Sequence, residues 1–125
     1  MTAARAGLVD VELTTHEIII RPRGTWKLWS LCRSKSIPRP SILSAHLSQS
    51  PEREILPRWR RGLGTLASLA GYMRGPHGRS WWCYQYGRSA VVLTLDHATV
   101  NNVVFIADDN EAIVEALTRN IGPVA

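Results

Sequence analysis

The sequence predicts an α+β fold that is mainly β: an antiparallel barrel or roll of about seven strands closed by one C-terminal helix. Three observations carry this prediction. Apolar residues alternate with polar ones, or cluster as β-branched and aromatic runs, along most of the 125-residue chain. Gly and Pro cut these runs into segments of strand length. Only in the last sixteen residues does the apolar spacing become helical.

The first strand is LVDVEL at 8–13, with Val9, Val11 and Leu13 on one face and Asp10 and Glu12 on the other, as a half-buried strand requires. The polar TTHE at 14–17 then makes a tight hairpin into EIIIRPR, whose three consecutive isoleucines favour a second strand. Pro22 lacks a backbone donor, which predicts an edge strand or an end near Arg21. In GTWKLWSLCR, Trp26, Trp29 and Cys32 recur every three residues, a short helical turn that lays aromatic faces on a sheet. SIPRPSILSAHLS reads as one extended strand, with its first half at an edge because of Pro38 and Pro40, and with Ile42, Leu43, Ala45 and Leu47 on its buried side.

Residues 49–64, QSPEREILPRWRRGLG, show no consistent period and read as a long loop. TLASLAGYM, WWCYQY and AVVLTL follow as a three-strand meander broken at RGPHGRS and GRS, and NVVFIA adds a further strand. Asp108, Asp109 and Asn110 then open the helix, since each can accept from the free N–H groups of a first turn. Ala112, Ile113, Ala116 and Leu117 form its apolar stripe, and Gly122 with Pro123 stops it. The chain divides into a flexible N-terminus (1–7), a single domain (8–121) and a short tail (122–125).

The segments EIIIRPRGTWKLWSL, SIPRPSI, GLGTLASLAGYMR, GRSWWCYQY, SAVVLTL and VVFIADDNEAIVEAL together resemble the bacterial pleckstrin-homology-like (PH-like) proteins of unknown function. The resemblance spans residues 8–120 and implies a barrel plugged by the C-terminal helix. The pleckstrin-homology domains that bind phosphoinositides resemble one another in a long first hairpin loop with Lys and Arg on its flanking strands. The corresponding TTHE has no Lys or Arg and carries an acid, so no specific phosphoinositide pocket is expected.

Charge is distributed unevenly. Thirteen of the fifteen Lys and Arg lie between positions 21 and 88 beside two acids, Glu52 and Glu54, whereas the two ends hold eight acids and two bases. A one-signed field of this kind selects partners of opposite sign. The candidate binding surface comprises Arg58, Trp59, Arg60 and Arg61 in PRWRR, Arg21, Arg23 and Lys27 in the next cluster upstream, and Trp82 and Tyr84 on the aromatic strand. Cations interleaved with aromatics suit single-stranded nucleic acid or an anionic membrane surface. The plainer reading stands beside it: solvated arginines whose stems cover apolar surface, and tryptophans in the core. Internal pairing with the acidic ends is a further alternative.

Catalysis and metal binding draw no support. His16, His46, His77 and His97 fall in separate turns and strands, and neither Cys32 nor Cys83 has a neighbour at metal-ligand spacing. No cofactor is expected. Both thiols are read as reduced, because no secretory signal precedes them. No apolar run approaches the ~20 residues of a membrane-spanning helix, and a cytoplasmic location, peripheral to the inner membrane face in the anionic-surface reading, is expected. The expected function is a non-enzymatic binding or scaffold module working by protein contact or self-association; binding to anionic membrane or nucleic acid is the alternative.

Overall fold

The computed structural model describes residues 7–24, 26–29, 33–51, 55, 59–64, 68–75, 78–85, 87–96 and 100–121. Expectations for the 1–6 segment, Cys32, Arg58, His77, His97 and the 122–125 tail lie outside these residues. The described part is mainly β with one long C-terminal helix, arranged as two sheets and not as a closed barrel.

The smaller sheet contains β1 (Val9–Leu13), β2 (Glu17–Pro22) and β3 (Lys35–Pro38), in that order. Strands β1 and β2 form the expected hairpin. Thr14 holds its turn: the Thr14 N–H donates to the Glu17 carbonyl at 2.9 Å, and the Glu17 N–H donates to Thr14 Oγ1 at 3.0 Å. Pro22 ends β2, so its missing donor costs nothing there; β2 is the central strand of this sheet and not an edge. Between β2 and β3 lies the one-turn helix α1 (Trp26–Trp29), entered through Gly24 at φ 53°.

The larger sheet has the order β4-β8-β9-β7-β6-β5. Its strands are β4 (Ile42–Ser48), β5 (Trp59–Gly64), β6 (Ser68–Gly75), β7 (Gly78–Gln85), β8 (Ala90–Leu95) and β9 (Asn102–Phe105). Four expectations change here. SIPRPSILSAHLS is two strands in different sheets, because Pro40 sits in a 3-10 turn, Arg39–Ser41, that redirects the chain. Leu43 and Leu47 are exposed and not on a buried side, because β4 is an edge and a bulge between Ile42 and Ser44 breaks its alternation. The 49–64 segment is not all loop: its last six residues, Trp59–Gly64, are β5, paired antiparallel to β6 along its length.

The fourth change concerns the meander. Strands β5, β6 and β7 do form one, but β8 is not adjacent to β7. Strand β9 lies between them, antiparallel to β8 and parallel to β7, so the sheet is not purely antiparallel. Val103, Val104 and Phe105 are all fully buried, which is the sequence character a strand interior to both neighbours needs.

The core gathers Val9, Ile18, Ile20 and Ile37 from the small sheet with Trp81, Trp82, Tyr84, Val91, Leu93, Phe105 and Ile106 from the large one. The C-terminal helix, α2 (Asn110–Ile121), packs against β4 and β8, burying Ile113 and Leu117. Ala116 is half-buried and Ala112 exposed, so the buried stripe is narrower than the spacing predicts. Among the described residues, no helix is long and apolar enough to cross a membrane.

Candidate functional site

Arg23 leaves the end of β2 beside the chain crossing between the two sheets, and its guanidinium is fully engaged there. Nε donates to Asp10 Oδ1 at 2.9 Å, Nη1 to the Gly7 carbonyl at 3.1 Å, and Nη2 to Asp108 Oδ2 at 2.8 Å. The Gly7 N–H donates to Asp108 Oδ1 at 2.7 Å, so Asp108 ties the start of the chain to the approach of α2 and does not cap the helix. The pair of Arg23 and the Gly7 N–H hold the Asp108 carboxyl down to about 2, and the two carboxylates push the Arg23 guanidinium further up. Gly7 is required by close approach: a Cβ there would stand 2.5 Å from the Ala107 carbonyl carbon. Leu8 and Val9 complete the junction by donating to the Ile106 carbonyl at 2.7 and 3.2 Å.

Arg21 pairs with Glu12 across β1 and β2 at 3.2 Å. Arg21 and Arg23, expected on a contact surface, are therefore held by acids of the N-terminal hairpin and the helix approach. Arg39 is likewise internal, donating from Nη1 to the Thr14 carbonyl at 2.7 Å. Of the upstream cluster only the Lys27 ammonium, exposed on α1, lacks an ion pair or hydrogen bond to a described residue.

Trp82 and Tyr84 are corrected outright. Both are fully buried, as are Trp81 and Cys83 on the opposite face of β7, because β7 lies inside the larger sheet and is covered on both sides. Trp82 Nε1 finds a partner in Ser80 Oγ at 2.6 Å, and the Trp82 and Tyr84 rings meet edge-on with centroids 5.9 Å apart. Burial pushes the Cys83 thiol well up, which disfavours the nucleophilic thiolate.

The PRWRR segment enters β5. Register sets Trp59 opposite Arg74, Arg60 opposite Met73 and Arg61 opposite Tyr72. Across the next pairing, Tyr72 stands opposite Trp81, and Arg74 opposite Arg79. Arg74 and Arg79 are exposed, and neither guanidinium has an ion pair or hydrogen bond to a described residue. They were missed in the sequence, although a signal was there: R-G-P-H-G-R flanks one turn, and a hairpin must bring such flanking residues face to face. Lys35 of β3 reaches the same face, its ammonium 3.1 Å from the Tyr72 hydroxyl and 4.8 Å from that ring's centroid, with the Trp81 ring 5.7 Å away.

The outer edge of β4 offers a surface of a different kind. Leu43 is 56 % exposed and Leu47 38 %, the two exposed large apolar side chains among the described residues. Two clefts are lined by described residues. One of ≈ 280 Å³ lies at the Arg23 junction, between β1 and the start of α2. The other, of ≈ 400 Å³, is lined by His46, Ile55, Val92, Thr94, Leu95, Asn101 and Asn102. Among the described residues no three His, Cys, Asp or Glu side chains cluster as metal ligands.

Comparison of the chain with protein-family models, with curated proteins and with solved structures finds no match in any of the three.

Proposed function

We propose that this protein is a non-enzymatic binding module that associates with a second copy of itself along the outer edge of β4, which pairs with no further strand among the described residues. The observation that carries this reading is a comparison of the four sheet edges. An edge strand presents unpaired backbone groups, and proteins blunt it with charge, proline or interruptions of the strand. Strand β1 carries Asp10 and Glu12, β3 carries Lys35 and Pro38, and β5 carries Arg60, Arg61, Gly62 and Gly64. Strand β4, ILSAHLS, has no Lys, Arg, Asp, Glu, Pro or Gly, and its only irregularity is the bulge at its first residues.

The backbone directions of β4 fit this use. In β8, the Leu95 N–H donates toward β9, to the Asn101 carbonyl, and the Asp96 N–H toward the start of β4, to the Ser41 carbonyl. Even-numbered β8 residues therefore face β4, and by register Ser44, His46 and Ser48 bond to β8. Ala45 and Leu47 direct their backbone groups outward. Antiparallel pairing of two β4 strands about Ala45 sets Leu43 of each copy against Leu47 of the other, with the smallest side chain at the two-fold axis. A contact this small belongs at the weak end of specific interfaces.

Sedimentation velocity from about 1 μM to about 1 mM tests it, the range in which contacts of about −8 to −4 kcal/mol are populated. The wild type is expected to shift from monomer to dimer, and the double variant Leu43→Lys/Leu47→Lys to stay monomeric with an unchanged circular dichroism spectrum. A wild type that is monomeric throughout would refute the reading. The PH-like relationship belongs here as a proposal as well, supported by a β-rich chain ended by a helix packed on its sheet; the open sheet and the parallel β7–β9 pair are its departures from an antiparallel barrel.

A further inference from the structure

We propose that the face of the larger sheet at the β6–β7 hairpin binds single-stranded nucleic acid through its phosphodiester backbone, with Arg74 and Arg79 as a pair of phosphate ligands. This surface is separate from the β4 edge and does not depend on the self-association proposed there.

The structure sorts the positive middle of the chain into used and unused charge. Arg21, Arg23 and Arg39 are consumed by acids and carbonyls, and Arg88 donates to Gln85 Oε1 at 3.0 Å. Lys27, Arg33, Arg74 and Arg79 are exposed or nearly so, without an ion pair or hydrogen bond from the side chain to a described residue. Arg74 and Arg79 are also directly opposed in register, next to the paired Gly75 and Gly78. Opposed side chains on neighbouring strands stand roughly 5 Å apart at Cβ, a distance at which two like charges destabilise the hairpin unless an anion bridges them. A phosphate supplies that anion, and two guanidinium forks can grip it from both sides.

The surroundings extend the site along the strands. Tyr72 lies two residues from Arg74 in the same alternate set, half-buried beneath the Lys35 ammonium. Helix α1, which bears Lys27, also packs against β6. Cations and aromatics interleaved along a sheet face are the means by which proteins hold single strands: phosphates on the cations, bases against the rings.

An anionic membrane is the competing polyanion, and the position of exposed apolar surface speaks against it. Peripheral membrane binding combines cations with apolar side chains that enter the acyl boundary. Leu43 and Leu47, the exposed large apolar residues among those described, lie on β4. That strand is four sheet positions from β6, roughly 19 Å at ~4.8 Å per strand.

Fluorescence anisotropy with a labelled oligothymidylate of about 20 nucleotides, between about 50 and 200 mM salt, tests the assignment. The wild type is expected to bind at low salt and to weaken steeply as salt rises. Arg74→Ala/Arg79→Ala should weaken binding at least tenfold and reduce the slope of log K against log salt by about 0.7, the share of the one phosphate that the pair grips. Arg119→Ala, which removes a cation already paired with Glu115 on α2, should change neither quantity. A duplex of the same length and phosphatidylserine vesicles serve as competing arms. The inference is overturned by absence of binding at low salt, by wild-type affinity in the folded double variant, or by preference for duplex or vesicles. Arg74→Gln alone, with half the change in slope, decides the matter should the double variant not fold.

Discussion

Asp108 illustrates how a single carboxylate can be diverted by its neighbours. Its place before the helix suits a cap, yet the Gly7 N–H and Arg23 guanidinium reach it first and fix the junction between the sheets. Its pKa falls from an ordinary 3.8 to about 2, so the ionised form is favoured by folding. The resulting stabilisation is complete above the unfolded value near 3.8 and is lost as pH falls through about 2. Asp108→Asn is therefore expected to be less stable than the wild type at neutral pH, and the gap should close between pH 4 and pH 2. Urea titrations of both proteins across that window check this; a constant gap would show that the charge of Asp108 plays no part. Because Asp10 and Asp108 are solvent-exposed, added salt should narrow the neutral-pH gap.

Strands differ in how much of their reason for existing is local, and legibility in the sequence follows that difference. Strand β1 was readable because alternation and a Thr-stabilised turn are properties of consecutive residues. Helix α2 was readable for the same reason, through the spacing of Ile113 and Leu117. Strand β5, WRRGLG, carries no alternating apolar set, and its extended form comes from pairing with β6, so no local signal distinguished it from a loop. The binding surface was legible in its charge but not in its membership. Whether an arginine is free or paired depends on which acid the fold brings alongside, and that is settled for Arg23 by a residue 85 positions away. Trp82 and Tyr84 were ambiguous in sequence, since aromatics on both sides of a strand fit either a sandwiched strand or an exposed row. The sandwiched strand is the outcome, with Trp81, Trp82, Cys83 and Tyr84 all buried, and β9 fills the flank of β7 within the sheet. Phe105 of β9, fully buried, should then be among the costliest side chains to remove: Phe105→Ala is expected to lose about 3–5 kcal/mol, read from urea denaturation. A loss below about 1 kcal/mol would mean that β9 is peripheral.

In the whole molecule, contacts that close the structure are made late in the sequence. Leu8 and Val9 bond to Ile106, Arg23 to Asp108, and α2 covers β4 and β8. Contacts between residues well separated along the chain therefore predominate, and such topologies fold on the millisecond-to-second scale. Stopped-flow refolding followed by tryptophan fluorescence should show this; full recovery within microseconds would contradict it. The place of β9 has a consequence for the protein during its synthesis. Hairpins β5–β6 and β6–β7 can form as soon as they emerge, but one flank of β7 and one of β8 stay open until β9 slots between them. Throughout that interval Trp81, Trp82, Val91 and Leu93 border an unfilled gap, a row open to any passing strand from a neighbouring nascent chain. A slow translation rate over residues 96–105 would prolong the hazard, and a chaperone that shields exposed strands would shorten it.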